Sequence, residues 1–422
     1  MKTITLILFI LMYAFMIIFS SKREYIALFT ALLFIILGIL PVNNIVSAID
    51  FNVILMMLGT MILVYYFIDS KMPAKIADFL LDVSPSVKWV TILMSAFAGL
   101  ISAFIDNTAT VLMIAPVGLA VCKRLKINPV PMILAIAVSS NLQGAATLVG
   151  DTTSIMLASY ANMNFNDFFI LNGKLSIFFA VELGAIASLF ALFFIFRKEN
   201  DHVEASRNVR VTSYIPSIAL IVLVISLIIA SFIPNTSNLT NGIICITIAL
   251  IVMMIDTVKT KNKNRVLDDL RGVDYQTLIL LVSLFLVIEG IKDVGIINDF
   301  ANFIVKIGGN NTFLLYTIIV WGSALLSVFI DNIPYVATML PVVQSVSLSL
   351  GINPYLLYFG LLSGATLGGN LTPIGASANI AACGLLKKEG KDVSFKDFIK
   401  IGAPLTLSAL TVGYIFIWCI WR

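Results

Sequence analysis

The chain has 422 residues, of which 59% are hydrophobic and only 12% are charged. A soluble domain carries about a quarter charged residues, so this composition excludes an ordinary soluble fold and predicts a polytopic protein of the lipid bilayer. The net formal charge of +4 is small and gives no indication of a nucleic-acid partner.

Uninterrupted apolar runs follow one another along the chain. The first, MKTITLILFILMYAFMIIFSSKRE, predicts a transmembrane helix rather than a signal peptide, because the run is long and no small-x-small cleavage site follows it. The complete set of predicted spans is 3–20, 25–41, 51–69, 174–196, 213–233, 240–256, 275–291 and 398–421.

Four further apolar regions are interrupted by polar residues. Regions 90–121 and 313–349 have Asp-Asn at their centres and arms of about 15 residues, which favours re-entrant hairpins over full crossings. Regions 126–160 and 352–386 contain Gly, Asn, Thr and Pro, and they predict broken helices.

The basic residues predict which loops face the cytoplasm. With ten crossings and two hairpins, the main basic clusters all fall on one side: Lys22/Arg23, Lys71/Lys75, Lys123/Arg124/Lys126, Arg197/Lys198, KTKNKNR (259–265) and Lys387/Lys388. The opposite loops PVNN, NMNFN and PNTSN contain no Lys or Arg. We therefore expect a multi-pass protein of the cytoplasmic (inner) membrane with both termini on the outer face.

A long internal repeat relates the two halves. Residues 102–155 align with 327–380 at a constant offset of 225, with 18 identities in 54 positions and no gap. The identities include polar and special residues, which chance similarity between apolar helices does not preserve in order: Asp106/Asp331, Asn107/Asn332, Pro116/Pro341, INP at 127–129 and 352–354, Gly144/Gly369, Thr147/Thr372 and Gly150/Gly375.

The segments that flank the two copies are basic at opposite ends: where one copy has a basic segment, the other has an uncharged one. KRLKINP follows the first hairpin and SLSLGINP the second, whereas NMNFN ends the first broken helix and KKEGK the second. This is the pattern of inverted topology, which secondary transporters use to build a midplane site. The predicted organisation is a first helix with its basic loop (1–24), repeat 1 (25–200), a charged linker with a connecting helix (201–239) and repeat 2 (240–422).

The four breaks supply the candidate binding site. Backbone can leave a helix inside the bilayer only where protein or a water-filled cavity satisfies its polar groups. The side-chain oxygens, free carbonyls and carboxylates of these breaks suit Na⁺ or exchangeable protons, together with a small substrate. The candidate residues are Asp106, Asn107, Thr108, Asn141, Thr147, Gly150, Asp151, Thr152, Asp331, Asn332, Asn370, Thr372, Gly375, Ser377 and Asn379.

Other interpretations compete for single residues. A purely structural role is the alternative for three of the aspartates: Asp106 and Asp331 would cap the hairpin tips, and Asp151 would cap a restarting helix. Glu182 lies inside a predicted span, where either a functional role or a hydrogen bond to a neighbouring helix is reasonable. The four cysteines form no C-x-x-C pair and His202 lies in a charged stretch, so neither residue type predicts a metal site or a disulfide.

Enzyme motifs are incomplete. LVGD (148–151) and LLSG (361–364) each lack the first glycine of an intramembrane protease motif, and the chain has no H-E-x-x-H. The sequence thus predicts a protein that is not an enzyme and has no cofactor beyond a bound Na⁺.

The four interrupted motifs together carry a resemblance. SAFIDNTATVLMIAPV, NLQGAATLVGDTTSI, SVFIDNIPYVATMLPV and GGNLTPIGASANIAACGLLKKEG resemble the arsenite-permease and sodium/proton-antiporter branch of the ion transporter superfamily, which includes the melanosomal P protein. The resemblance to divalent-anion:sodium symporters is more distant. The resemblance to the superfamily implies an all-α fold with a scaffold domain and a transport domain, an elevator movement and a homodimer.

Two motifs depart from the resemblance. The first break has GDTTS where many relatives have GDPPN, and the hairpin tips have Asp-Asn where the carboxylate symporters have Ser-Asn-Thr. Two fixed anions near the site disfavour a dicarboxylate unless cations compensate them, whereas neutral arsenite tolerates them.

The leading prediction is a secondary transporter of a small inorganic ion, coupled to H⁺ or Na⁺, in arsenite or antimonite efflux or in Na⁺/H⁺ antiport. The alternative is Na⁺- or H⁺-coupled uptake of citrate or another di- or tricarboxylate. An ion channel is a third interpretation, which the inverted repeat opposes by analogy alone.

Overall fold

The structure is a computed structural model that describes residues 1–199, 201, 209–260, 272–309 and 311–422. The helices of the first half are α1 Lys2–Ile18, α2 Arg23–Ile36, α3 Ile45–Ala48, α4 Phe51–Asp69, α5 Met72–Asp82, α6 Val87–Ser102, α7 Asn107–Leu125, α8 Val130–Gln143, α9 Thr152–Tyr160 and α10 Ile177–Ile195. Those of the second half are α11 Ile215–Ala230, α12 Thr240–Thr260, α13 Tyr275–Asp293, α14 Ile296–Gly308, α15 Thr312–Ser327, α16 Asn332–Leu350, α17 Pro354–Gly368, α18 Ser377–Lys388 and α19 Phe395–Trp421.

Every predicted span contains a helix. Within the described residues, seven helices are long and apolar enough to cross a membrane: α4, α7, α10, α12, α13, α16 and α19. The predicted span 25–41 is too long, because α2 ends at Ile36 and Gly38 then turns the chain at a φ of +68°. The protein is a multi-pass, helical membrane protein.

The fold departs from the prediction in three elements. A short antiparallel pair, β1 Ile170–Leu171 and β2 Lys174–Leu175, precedes α10, so the described chain is not purely helical. The helices α5 and α14 were not predicted, because their apolar residues lie on one face only and are broken by charges. Each follows a residue of positive φ, Lys71 or Gly295.

Each region predicted as a hairpin contains two helices joined by a four-residue break, and that these pairs are re-entrant stays a prediction. α6 and α7 flank 103–106, and α15 and α16 flank 328–331. The arms are longer than the limits 90–121 and 313–349. Asp106 and Asp331 are the N-caps of α7 and α16, so their side chains satisfy amides at the start of each second arm.

Both predicted broken helices are broken at equivalent places. α8 stops at Gln143 and the chain restarts at Thr152, while α17 stops at Gly368 and the chain restarts at Ser377. The hydroxyl of Thr147 donates to the carbonyl of Ala103, and that of Thr372 donates to the carbonyl of Val328 over 2.7 Å. Each break is thereby fixed to the hairpin of its own half.

Packing separates the helices into two groups. The frame helices are α1, α2, α4 and α11–α13, in which α4 packs on α12 and α2 packs on α13. The hairpin helices are α6–α10 and α15–α19, in which α6 packs on α8, α15 on α17 and α10 on α19. The groups meet where α9 lies against α4 and α16 lies against α13.

Part of the predicted inner surface lies outside the described residues. This applies to His202, to residues 202–208 of the linker and to residues 261–265 of the basic run. The described residues before this linker segment lie against the first hairpin, because the amides of Val87 and Lys88 donate to the carbonyls of Asp201 and Glu199. After it, the amide of Val209 donates to Asp78 of α5.

Candidate functional site

A cavity of about 400 Å³ lies between the frame helices and the breaks. The frame helices contribute Arg23 of α2, Met57 and Thr60 of α4, and Asp274 and Thr277 at the start of α13. The hairpin helices contribute both hairpin tips and both restarting helices. The cavity lining therefore has polar groups from all four breaks and charged groups from the frame.

The first hairpin tip keeps one carboxylate oxygen available. Oδ1 of Asp106 accepts hydrogen bonds from the amides of Thr108 at 3.0 Å and Ala109 at 3.1 Å. Within the described chain, Oδ2 accepts none. The neighbouring Asn107 is held from behind, because its side-chain amide donates to Asn141 over 2.7 Å and its carbonyl accepts from Ser140 over 3.0 Å. Asp106 thus caps a helix with one oxygen and lies at the cavity with the other.

The first break places a second carboxylate in the same cavity. Gly150 and Asp151 follow the turn that Thr147 anchors, and Asp151 is 3% exposed. Its Oδ2 accepts from the hydroxyl of Thr153 at 3.0 Å and from the amide of Asn332 at 3.3 Å. Asp151 occupies the N-cap position of α9, but its side chain caps no amide there. The link from Asp151 to Asn332 joins the two halves.

The second hairpin tip contains an ion pair. Oδ1 of Asp331 accepts from the amide of Ile333 at 3.1 Å, while Oδ2 pairs with Nη1 of Arg23. Nη2 of Arg23 donates to the hydroxyl of Ser377 over 3.0 Å, and this hydroxyl lies 3.3 Å from Oδ2 of Asp331. A frame helix therefore reaches the tip of a hairpin and the start of α18. Both tips have the sequence Ile-Asp-Asn, but in the described chain only the aspartate of the second tip has a cationic partner.

The two broken helices cross at buried asparagines behind the cavity. The side-chain amide of Asn141 donates to the carbonyl of Thr366 at 2.9 Å and to Oδ1 of Asn370 at 3.0 Å. Asn370 donates in turn to the carbonyl of Val138 at 3.2 Å. Asn379 closes the second break from inside, donating to the carbonyls of Gly369 and Thr372.

The candidate residues divide into a lining and a supporting layer. Eight of the fifteen line the cavity: Asp106, Asn107, Thr108, Gly150, Asp151, Thr152, Asn332 and Ser377. The other seven lie behind them and hold the breaks or Arg23: Asn141, Thr147, Asp331, Asn370, Thr372, Gly375 and Asn379. Glu182 is half-buried on α10 and is not part of the described lining.

Two charged residues of the lining were not predicted, Arg23 and Asp274. Arg23 was assigned to a basic cytoplasmic loop, because a single Arg beside a span gives the same signal as a loop residue. Asp274 was available from the sequence as the repeat partner of Asp50, which extends the match beyond the constant-offset block at an offset of 224. Both residues are N-caps of long helices with alike hydrogen bonds. Repeat equivalence alone does not tell which of the two lies at the site.

Asn141 offers a test of the crossing. We expect Asn141→Ala to lower the free energy of unfolding by about 3 kcal/mol, because it removes hydrogen bonds to Asn107, Thr366 and Asn370 and leaves buried groups unsatisfied. Urea unfolding of the purified protein in detergent measures the change. Ser139→Ala is the control, since this equally buried hydroxyl has no partner in the described chain. Equal stability of the two variants contradicts the prediction.

A second, larger cavity of about 670 Å³ lies along the C-terminal half of α9. Asp50, Asn52, Met56 and Glu289 contribute to its lining, as do residues of the loops 162–164 and 236–239. Leu148 and Met56 line this cavity, while the adjacent Val149 and Met57 line the first. Neighbouring residues of α4 and of the first break therefore line different cavities.

Comparison with known proteins assigns this architecture. The citrate transporter (CitMHS) family matches residues 7–362, and a further match covers 270–422. The chain belongs to the citrate transporter family. Curated relatives include an uncharacterized transporter of Mycobacterium tuberculosis, 30% identical over 99% of this chain and 98% of its own length, and a 46 kDa membrane protein of Mycobacterium leprae, 31% identical over 99% and 98%.

This member of the citrate transporter family also has more distant relatives. The human P protein is 25% identical over 89% of this chain and 54% of its own length. The Alcanivorax borkumensis YdaH transporter has a similar fold, with a TM-score of 0.60, 13% identity and coverage of 87% of this chain and 84% of that one. The Neisseria gonorrhoeae MtrF structure has a TM-score of 0.52 and 15% identity, with coverage of 88% of this chain and 80% of that one.

These findings confirm the prediction at the level of the superfamily. The protein is a membrane-embedded secondary transporter of a small substrate and not an enzyme. The family match supports the carboxylate alternative better than the arsenite or Na⁺/H⁺ interpretation. The narrower assignment to the arsenite-permease branch stays a prediction.

Proposed function

We propose that the protein takes up citrate or another di- or tricarboxylate across the cytoplasmic membrane, coupled to H⁺ or Na⁺. The observation that carries this proposal is the charge arrangement of the cavity. Its described lining contains one cation, the guanidinium of Arg23, and the carboxylates of Asp106, Asp151 and Asp274. A site of this kind has groups for both an anionic substrate and its coupling cations.

The negative excess of the lining explains why uptake is coupled. A carboxylate substrate brings further negative charge into a site shielded from bulk water, where repulsion between unit charges is several-fold stronger than in solution. Cations must therefore enter with it. Asp106 and Asp151 are the residues to which we assign them, because the first tip has no cationic partner in the described structure and Oδ2 of Asp106 accepts no hydrogen bond there.

We further propose that the two repeats have inverted topology and that the hairpin helices move against the frame. Two contacts between the halves support the inversion. The end of the first hairpin pairs with the end of α18 through Lys123 and Glu389 at 2.6 Å, and the second hairpin meets the end of α9 through Gln344 and Tyr160 at 2.5 Å. Asp50 lines the larger cavity, whereas its repeat partner Asp274 lines the smaller one.

The resulting sidedness is testable by cysteine labelling. On a Cys419→Ser background, which removes an exposed thiol, a cysteine at the exposed Asn238 is expected to react with a membrane-impermeant maleimide added outside. A cysteine at the exposed Lys391 is expected to react only after permeabilisation. The background alone is the control. Labelling of both positions from the same face contradicts the inverted arrangement.

Transport assays test the substrate. Proteoliposomes are loaded and diluted to impose a pH or Na⁺ gradient, and uptake of labelled citrate, succinate or arsenite is measured. We expect saturable citrate uptake that needs one of the gradients and that is stimulated by unlabelled citrate inside. Arsenite or Na⁺ flux without any carboxylate flux would favour the inorganic-ion interpretation, and single-channel currents would favour a pore.

The remaining organisation follows the same proposal. The repeats at 25–200 and 240–422, joined by 201–239, are the units that the inversion relates, and 1–24 adds α1 and the basic turn before α2. The homodimer implied by the resemblance stays a prediction.

A further inference from the structure

The cavity has a single described cation for an anionic substrate, and this cation is already occupied. Arg23 pairs with Asp331 and Ser377, and its side chain is 19% exposed while that of Asp331 is 9% exposed. A guanidinium has five donors and binds carboxylates through a planar fork. A carboxylate substrate that reaches Arg23 must therefore compete with the carboxylate of Asp331.

We propose that Arg23 is the carboxylate-binding residue of the site, and that substrate displaces Asp331 from it. This inference rests on the proposed uptake of carboxylates and adds the residue that recognises them. The exchange replaces one guanidinium–carboxylate pair with another, so Arg23 is never left buried without a partner. Leaving it so would cost more than either pair contributes.

Asp331 cannot follow Arg23 to the substrate. Its Oδ1 is fixed to the amide of Ile333 at the start of α16, where it serves as N-cap. After the exchange, its Oδ2 keeps the hydroxyl of Ser377, which lies 3.3 Å away, and loses its cation. A buried carboxylate without a cation is unfavourable, so Asp331 then takes up a proton or Na⁺.

The surroundings strengthen this requirement. The other charged groups facing the pair are Glu24 beside Arg23, Asp274 of α13, and Asp106 and Asp151 of the first half. All four are acidic, so they offer Asp331 no replacement for Arg23. Substrate binding at Arg23 and cation uptake at Asp331 are thereby linked. The first hairpin tip has no equivalent of Arg23 in the described chain, so the exchange belongs to the second half alone.

The position of Arg23 also excludes a role as an ordinary surface charge. Lys22 is exposed next to it, whereas Arg23 begins α2 with its guanidinium buried between a hairpin tip and a restarting helix. Lys22→Gln is therefore a matched control, because it removes one positive charge at the adjacent position without touching the cavity.

The test measures the dissociation constant for citrate with purified protein in nanodiscs, by calorimetry, at several pH values and Na⁺ concentrations. Arg23→Gln is expected to weaken citrate binding about 30-fold, since it removes hydrogen bonds to a charged group. Arg23→Lys is expected to lie between it and the wild type, because an ammonium keeps the charge but not the fork. Lys22→Gln is expected to bind like the wild type.

Asp331→Asn separates this proposal from a structural role of the ion pair. Removing the competitor is expected to tighten citrate binding and to remove the part of its pH and Na⁺ dependence that comes from Asp331. A pair that only holds helices together would weaken binding in Asp331→Asn as it does in Arg23→Gln, and this result would overturn the proposal.

Arg23→Gln also leaves Asp331 buried and unpaired, so the double variant Arg23→Gln/Asp331→Asn keeps the test independent of misfolding. It is expected to bind citrate as weakly as Arg23→Gln. Wild-type affinity in the double variant overturns the role of Arg23 while leaving the proposed function intact. Absence of binding of citrate and succinate by the wild-type protein overturns the proposed function and this inference together.

Discussion

Gly150→Ala is expected to reduce transport to about one hundredth of the wild-type rate or less. A Cβ at this position would lie 2.5 Å from the carbonyl oxygen of Gly144, 2.7 Å from that of Ala103 and 2.8 Å from that of Ser102. All three are backbone atoms, which cannot rotate away as a side chain can. The break must therefore open and displace Asp151, and a displacement of about 1 Å at a site costs on the order of 100-fold in rate.

The chain has a matched control for this substitution. Gly384→Ala places the same methyl group in α18, where nothing lies within 4 Å of the new Cβ, and alanine favours the helix. Initial uptake rates, normalised to the amount of folded protein seen by gel filtration in detergent, compare the two. Gly375→Ala should resemble Gly150→Ala, since its Cβ would lie 2.6 Å from the carbonyl oxygen of Gly369. Wild-type transport by Gly150→Ala would mean that the break does not need this close approach.

Asp106→Asn is expected to abolish cation-driven accumulation of substrate. Asparagine caps helices as well as aspartate does, so α7 should keep its start while the negative charge at Oδ2 is lost. The accumulation ratio under a pH or Na⁺ gradient is expected to fall to about one, because an uncharged tip no longer attracts the coupling cation. Substrate exchange without a gradient is expected to survive in part.

The measurement is accumulation against pH and Na⁺ for wild type and variant. Asp299→Asn is the control, because Asp299 is an exposed carboxylate of α14 that pairs with Lys2 at 2.6 Å and lies far in sequence from both tips. Retention of the wild-type pH and Na⁺ dependence by Asp106→Asn would reduce this aspartate to a helix cap. The coupling cation would then have to be assigned to Asp151, which lines the same cavity, or to Asp331.

The breaks could be predicted from the sequence because their polar residues, glycines and prolines would destabilise a continuous transmembrane helix. Asp, Asn, Gly and Pro inside apolar regions are unfavourable in a continuous transmembrane helix. The same residue types recur in the same order 225 residues later. The hairpins and broken helices follow from that pattern, as do the eight residues that line the cavity. The ends of the membrane helices were predicted less well, because a long apolar run does not fix where a helix ends, as α2 shows.

The contacts between the two halves were beyond the sequence. Nothing in the alignment tells that Asn332 donates to Asp151, or that Asn141 lies between Asn107 and Asn370. Arg23 was missed for the same reason, since its partner lies 308 residues away. Matching residues of a repeat have the same sequence pattern. Asp106 and Asp331 differ only in their surroundings, because Asp331 pairs with Arg23 and Asp106 has no cationic partner in the described chain.

The closeness of the two cavities, which neighbouring residues line, has an electrical consequence. Where water fills both cavities, the membrane voltage falls mainly across the residues between them, around Met56/Met57 and Leu148/Val149. A cation held at Asp106 lies next to this steep field rather than at the centre of a uniform one. Each elementary charge carried through it gains about 2.3 kcal/mol per 100 mV. A carrier of this shape can therefore draw on the membrane voltage with a small movement of charge.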